Sequence, residues 1–161
     1  MNTNSPTFCK MAHLGLNLDM SGMVQPCTIS SYWIKDKDNN HMKLNKNTAE
    51  EAWNNEGRRQ FVKNLDNGIK QKACDLCWKV EESGAQSQRM TWNKMLEHVE
   101  PSQEQPRVMV VKPGNKCNNA CRSCNSHTSS AWYKDAYAMT DKKIPYKAVS
   151  YTHLRAHETA Y

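Results

Sequence analysis

The chain has 161 residues, a net charge of +6 and a mean hydropathy of −0.88. Leu, Ile, Val and Phe together supply 22 residues, about 14% of the chain, whereas a chain usually needs roughly 20% to build a core unaided. The net charge is nevertheless too small for a disordered polyelectrolyte. No apolar run could cross a bilayer, and residues 1–8 lack the basic and apolar regions of a secretory signal, so we expect a cytoplasmic protein without a membrane partner.

Seven cysteines offer a way to hold the fold that does not depend on apolar burial. Their odd number and the absence of a secretory signal argue against a secreted disulfide scaffold. Cysteines at short spacings in a reducing compartment more often bind metal. Lysine and arginine are scattered, with no run of five, which argues against a nucleic-acid partner.

Residues 8–33 are predicted to form a strand, a turn and a second strand. Leu14, Leu16 and Leu18 alternate with small or polar residues, the period-two pattern of a half-buried strand. A turn at 19–22 and a returning strand at 23–29 complete the hairpin. Residues 35–47 are polar and typical of a loop.

A helix is predicted to begin after Thr48 and to end at Asn67-Gly68. Thr48 and Glu51 match a capping box, and a glycine is common just past a helix C-terminus. One apolar stripe repeats every four residues: Ala49, Trp53, Gly57, Phe61 and Leu65. We expect Trp53 and Phe61 to pack in the core.

The second half of the chain is predicted to contain short elements. A helix follows Cys77 and ends near Gly84, and residues 86–98 are weakly helical. After a linker, the β-branched run at 107–112 favours a buried strand, for which we expect no parallel neighbour. Ser129 or Ser130 is placed to cap a helix that reaches about Met139.

Three cysteines form a compact motif directly after the predicted strand at 107–112. Cys117, Cys121 and Cys124 have the spacing C-x3-C-x2-C. Three thiolates on one loop can hold three corners of a [4Fe–4S] cluster and leave the fourth iron open for a ligand. A structural zinc site needs four ligands, and His127 is the candidate for the fourth. The motif favours the open cluster, with zinc as the alternative.

The other four cysteines form a second pattern, C-x12-G-x4-C, a long gap and C-x2-C. It consists of Cys9, Gly22, Cys27, Cys74 and Cys77. Gly22 suits a hairpin turn, because glycine tolerates positive φ. Four thiolates could ligate one [4Fe–4S] cluster or one tetrahedral zinc ion, and spacing alone does not separate the two. The two sets together use all seven cysteines.

The Cys117, Cys121 and Cys124 motif resembles the signature of the radical S-adenosylmethionine (SAM) enzymes, including its place after a first strand. One departure is Ser123, since an aromatic residue commonly precedes the third cysteine in that superfamily. The N-terminal set resembles the twitch domain, the shortened form of the SPASM auxiliary-cluster domain. That domain usually follows the barrel, whereas here its cysteines come first. The resemblance covers about residues 8–135.

The resemblance implies an irregular, loop-rich fold in two parts. Residues 8–98 would form a small α+β auxiliary-cluster module, joined by a linker at 99–106 to residues 107–147. The latter would be the first strand, cluster loop and first helix of a truncated α/β radical SAM barrel, which is a partial TIM-type barrel. We also expect the module at 8–98 to fold only with its metal.

The resemblance also implies an oxidoreductase with two [4Fe–4S] clusters and SAM as cofactors. The cluster ligands would be Cys117, Cys121 and Cys124 at the catalytic site, and Cys9, Cys27, Cys74 and Cys77 at the auxiliary site. SAM would bind the open iron and be cleaved to a 5′-deoxyadenosyl radical. A flavodoxin or ferredoxin would donate the electron, and substrates in such groups are often peptides or proteins. A non-catalytic zinc-binding interaction module is the alternative.

Residues 149–159 match one reading-frame translation of a transposase-type sequencing adapter. We therefore interpret 148–161 as an artefact, which excludes His153 and His157 as ligands. On this interpretation the chain is an N-terminal fragment of an enzyme, and the fragment is expected to be inactive.

Few other residues suggest chemistry. Glu81 and Glu82 are adjacent, and neighbouring residues on a helix point apart, so we expect both on a solvated face. His13 is expected to be a hydrogen-bonded strand residue, and Asp66 a turn residue.

Overall fold

The computed structural model describes residues 1–102, 104–112, 114–117, 119–126 and 129–140. His127, the segment at 148–161 and the end of the expected barrel unit lie outside the described residues. The chain divides into two compact units, Met1–Val111 and Lys112–Tyr161. Within the described ranges, none of the helices has the length and apolar character needed to cross a membrane.

The first unit mixes short helices with a small sheet. Its elements in chain order are α1 (Lys10–Leu14), β1 (Gly15–Leu18), β2 (Val24–Gln25), α2 (Ala49–Trp53), α3 (Glu56–Asp66), a 3-10 turn (Lys72–Cys74), α4 (Asp75–Glu82), α5 (Gln88–Met95) and β3 (Val108–Val111). The strands of the described part are ordered β2-β1-β3.

The sheet corrects the prediction that the strand at 107–112 has no parallel neighbour. Strand β3 pairs parallel to β1, with Gly15 opposite Val108 and Leu18 opposite Val111. The strand expected to begin the second part of the chain is therefore in the sheet of the first unit. It is also half-buried rather than buried, because β3 is an edge strand: Met109 and Val111 are 47% and 53% exposed.

Strand β1 is more buried than predicted. All four of its residues are buried, since the strand is central and covered on both faces. Leu14 and His13 belong to the end of helix α1 rather than to the strand. The return strand is only two residues long, while Gly22 has φ +77° as the turn requires.

The predicted helix after Thr48 is two helices. Its start is confirmed: Thr48 Oγ1 accepts from the Glu51 N–H at 3.0 Å, and Glu51 Oε2 accepts from the Thr48 N–H at 2.8 Å. The helix is interrupted at Asn55, whose side chain caps α3 by accepting from the Arg58 N–H at 3.1 Å. Asparagine side chains compete with the backbone in this way. Gly68 follows the end of α3 with φ +79°.

The core of the first unit consists of two clusters. The first, called cluster 1, contains Cys9, Met11, Ala12, Phe61, Leu65 and Trp78. The second, cluster 2, contains Leu16, Val24, Ile34, Met42, Ala52 and Trp53. The prediction that Trp53 and Phe61 pack in the core is confirmed by their exposures of 3% and 5%.

The second unit is described over the cysteine loop and one helical segment. A 3-10 turn (Ser130–Trp132) leads into α6 (Tyr133–Met139). Ser129 caps the turn, because its Oγ accepts from the Ala131 N–H at 3.3 Å. Ser129 thus caps this segment as predicted, but its first turn is 3-10, and α6 begins at Tyr133 without a side-chain cap.

Candidate functional site

Four cysteines of the first unit line one small cavity. Cys9 immediately precedes α1, Cys27 follows β2, and Cys74 and Cys77 lie at the start of α4. The cavity has a volume of about 20 Å³, enough for one water molecule or ion. The structure thus brings together, from three separate segments, the four cysteines that the sequence pattern groups.

The walls of this cysteine cavity are mostly apolar. They include Phe61, Leu65 and Trp78 of cluster 1. The four thiols are free of disulfides. Within the described ranges, no group of three or more Cys, His, Asp or Glu residues has the geometry of a metal site. The thiols therefore share a cavity without forming a closed coordination shell.

Burial and the charges of neighbouring cysteines raise the pKa values of Cys9, Cys74 and Cys77. Burial is the main cause that raises the pKa of Cys9 to about 12, and the charges of Cys27 and Cys77 add to it. Burial also raises the pKa of Cys74 to about 12, followed by the charges of the other three cysteines. Thiolates are the metal-binding form of cysteine, so occupation by a metal cation would require release of these protons.

Hydrogen-bond donors at the starts of two helices partly offset the rise in thiol pKa. Backbone N–H groups of Ala12 and Met11 act on the Cys9 sulfur and lower its pKa. Burial raises the pKa of Cys77, but the Arg89 N–H and the Ser87 side chain at the start of α5 lower it. Amides in the first turn of a helix stabilise a nearby negative charge. The cavity thus has donors aimed at thiolates.

An ion pair beside the cavity was not apparent in the sequence. Arg89 lines the cavity and binds Glu81 through two nitrogens, while its Nη1 donates to the Phe8 carbonyl at 2.6 Å. Ser87 Oγ also donates to Glu81. The expectation that Glu81 is solvated is wrong, since its side chain is 20% exposed, whereas that of Glu82 is 64% exposed. The Arg89–Glu81 pair spans the turn at Gly84, and helix periodicity does not predict a contact across a turn.

An unpaired indole also lines the cavity. Trp92 Nε1 is buried and has no hydrogen-bond partner among the described residues. Trp78, by contrast, donates its Nε1 to the Gln71 carbonyl at 2.9 Å. A buried donor without an acceptor costs free energy. Trp92, one of the lining residues, therefore has an N–H that no described residue accepts.

The second cysteine set lies on one loop of the second unit. Cys121 is exposed, and Cys117 and Cys124 are half-buried. The Cys117 sulfur accepts from the Asn119 N–H at 3.4 Å. The structure places these three cysteines on the same loop, but the described residues do not arrange them as a metal-binding group. The fourth candidate ligand, His127, is outside the described residues.

Residues after the loop hold its backbone. Ser130 Oγ accepts from the Cys117 N–H and donates to the Cys117 carbonyl, both at 3.0 Å. Trp132 Nε1 donates to the Cys121 carbonyl at 3.1 Å, and Ser129 Oγ donates to the Asn119 carbonyl at 2.8 Å. The loop backbone is thus held mainly by Ser129, Ser130 and Trp132, and of the three sulfurs that of Cys117 also contacts it, through the Asn119 N–H.

Comparisons with protein-family models, curated proteins and solved structures find no match for this chain. The resemblance of the cysteine motifs to radical SAM enzymes therefore stays a hypothesis.

Proposed function

We propose that the chain is part of a radical SAM enzyme whose two cysteine sets bind two [4Fe–4S] clusters. The observation that carries this proposal is the convergence of Cys9, Cys27, Cys74 and Cys77 on one buried cavity. Neutral thiols are readily buried, so burial alone does not call for a metal. Four sulfurs from three separate segments that meet at one cavity are, however, the donor set that a tetrathiolate metal centre requires.

The surroundings of the cysteine cavity suit an anionic metal–thiolate centre. Four thiolates satisfy a [4Fe–4S] cluster, and their excess negative charge would be met by the N–H groups at the starts of α1 and α5. The charge of Arg89 lowers the pKa of Cys74, whereas its partner Glu81 raises that of Cys77, so this ion pair supplies no net positive charge. Trp92 offers a further donor. Such outer contacts orient metal ligands and tune the metal they hold.

The second cluster is assigned to Cys117, Cys121 and Cys124, with SAM at its open iron. A cluster there would supply the electron that cleaves SAM. The chain's own residues hold the loop: Ser130 and Trp132 fix the backbone of Cys117 and Cys121. The proposal includes a cytoplasmic location, a flavodoxin or ferredoxin as electron donor, and a peptide or protein substrate.

A zinc site is the second candidate for the cysteine cavity. The observation in its favour is the set of four cysteines at one cavity, which is the complete ligand set of a tetrahedral zinc ion as well as of a cluster. Four thiolates form the closed tetrahedral shell of a structural zinc site. The first unit would then be a non-catalytic interaction module.

Metal analysis of the full chain separates the two candidates. The protein is purified anaerobically and reconstituted with iron and sulfide, and bound iron, sulfide and zinc are measured with the absorption spectrum. Two clusters require about eight irons and eight sulfides per chain. A colourless protein that keeps one zinc per chain would reject the auxiliary cluster and support the zinc module.

Cysteine variants test the division into two sets. Cys74→Ala is expected to remove about half of the iron and to leave the response of the remaining cluster's electron paramagnetic resonance spectrum to added SAM. Cys117→Ala is expected to remove the other half together with that response. Ser83→Ala, at the exposed end of α4, is the control and should keep both. Loss of the SAM response in Cys74→Ala with full iron at the second site contradicts the division.

A further inference from the structure

A second cavity in the first unit has a different character. It has a volume of about 630 Å³ and lies where the end of α1 meets α2 and α3, with residues 100–102 beside it. Its wall includes His13, Trp53, Arg58, Arg59, Val62 and Glu100. A volume of this size is typical of small-molecule sites.

Arg58 is buried at the wall of this cavity without a counter-charge. The residue is 5% exposed, and its guanidinium lies 3.4 Å from the centre of the Trp53 ring. Its Nη2 donates to the Ala12 carbonyl at 3.0 Å and its Nη1 to the Trp53 carbonyl at 3.3 Å. Carbonyls satisfy two donors but leave the charge unneutralised. Its Nε has no hydrogen-bond partner among the described residues.

Arg59 adds a second positive charge to the cavity wall, which also includes one carboxylate, that of Glu100. Arg59 lines the same cavity and is exposed, with its Nη2 donating to Asn54 Oδ1 at 2.8 Å. Over the described ranges, no carboxylate forms an ion pair with Arg58 or Arg59. Asp66, the acid nearest to His13, is engaged by His13 Nε2 at 2.9 Å. Burial, followed by the charge of Arg59, lowers the pKa of Arg58 to about 9.

We propose that this cavity binds a small ligand through an oxyanion, a phosphate or a carboxylate, with Arg58 and Arg59 as the anion-binding residues. An oxyanion supplies the missing counter-charge, and guanidinium groups match phosphate and carboxylate geometry. Trp53 and Val62 provide an apolar wall for the rest of the ligand. The cavity contains none of the cysteines, so this inference is independent of the proposed metal sites.

The test uses the full chain with inorganic phosphate and acetate as probes. Thermal unfolding and isothermal titration are recorded against sodium chloride at equal ionic strength, since salt alone screens charges. Phosphate is expected to raise the melting temperature in a saturable way. A response to phosphate alone assigns a phosphorylated ligand, and a response to acetate as well assigns a carboxylate. The absence of any saturable response beyond chloride would overturn the proposal.

Three variants locate the binding. Arg58→Met removes a buried charge together with the donors to the Ala12 and Trp53 carbonyls, so its melting temperature without phosphate is measured first, and it is expected to lose the phosphate response. Arg59→Met alters an exposed side chain, so it should fold normally and bind phosphate about tenfold more weakly. Lys63→Met makes the same charge change on the exposed face of α3 and should bind like the parent. An equal loss in Lys63→Met and Arg59→Met, or none in either, contradicts the assignment.

Discussion

Arg89 binds Glu81 at two points across the turn between α4 and α5, with Nε–Oε1 at 2.9 Å and Nη2–Oε2 at 2.5 Å. The same arginine reaches the Phe8 carbonyl beside Cys9. Both side chains are largely removed from solvent, at 12% and 20% exposure. One ion pair thus ties α4, α5 and the segment before α1 together at the wall of the cysteine cavity.

Breaking this pair is expected to destabilise the first unit. Glu81→Gln should lower the free energy of unfolding by about 2 kcal/mol, because a charged hydrogen-bonding group loses its partner. Urea denaturation of the full chain with its metal bound measures the change. Glu82→Gln is the matched control: it removes an exposed pair with Lys70 and should cost less than about 0.5 kcal/mol. Similar costs in the two variants would show that burial of the Glu81 pair contributes nothing.

The unpaired indole of Trp92 provides a test of what enters the cysteine cavity. Trp92→Phe keeps an aromatic ring and removes the N–H. On the hypothesis that this N–H donates to a metal-bound sulfur, release of the metal to a chelator should become faster in Trp92→Phe. Without metal, the variant should be as stable as the parent, since the N–H has no acceptor in the described residues.

Trp78→Phe is the control for this prediction, because its N–H is already paired with the Gln71 carbonyl. That variant should lose about 1 kcal/mol of stability with or without metal. Chelator release rates and urea midpoints are measured for both variants. If Trp92→Phe releases metal at the parent rate, the indole does not contact the bound centre.

The features that were predicted correctly depend on residues close together in the sequence. The capping box of Thr48 and Glu51 and the turns at Gly22, Gly68 and Gly84 are all decided within four residues. The break at Asn55 was missed, because an apolar stripe continues across it. The parallel pairing of β1 with β3 joins segments about ninety residues apart, and no local pattern reports such a contact.

For the candidate site, cysteine spacing grouped Cys9, Cys27, Cys74 and Cys77, which line one cavity. The polar groups around these four cysteines could not be predicted from the sequence. Arg89 and Trp92 have no motif, and they reach the cavity because the turn after α4 folds α5 back. The isolated charge of Arg58 is also invisible in sequence, where it lies in the middle of an ordinary polar helix.

Acid is expected to destabilise the first unit through His13. Burial lowers the pKa of His13 below its ordinary value of 6.5, although the nearby Asp66 carboxylate acts to raise it. Since the unfolded chain then binds the proton more readily, stability decreases as the pH falls below about 6.5, until the folded form also protonates. Above 6.5 the contribution is fully present.

Urea denaturation at pH 7.5 and 5.5 checks this pH dependence. His13→Gln should flatten the difference between the two pH values, whereas His98→Gln, at an exposed position, should keep it. A stability that increases on acidification would mean that the Asp66 ion pair outweighs burial.

Metal removal is expected to loosen the two clusters unequally. Cluster 1 contains Cys9 and packs against Cys27 and Cys74, whereas cluster 2 contains no cysteine. Metal–thiolate binding can supply on the order of 10 kcal/mol, comparable to the net stability of a domain. Without it, amides of α1, α4 and α5 should exchange hydrogen rapidly, while those of β1 and β2 keep part of their protection through cluster 2.

Hydrogen exchange of the full chain with and without chelator measures this, and Ile34→Ala, which truncates cluster 2 instead, provides the comparison. The sequence alone suggests that the whole module depends on metal. Uniform loss of protection across both clusters would support that simpler view, and unchanged protection would show that packing alone holds the four cysteines together.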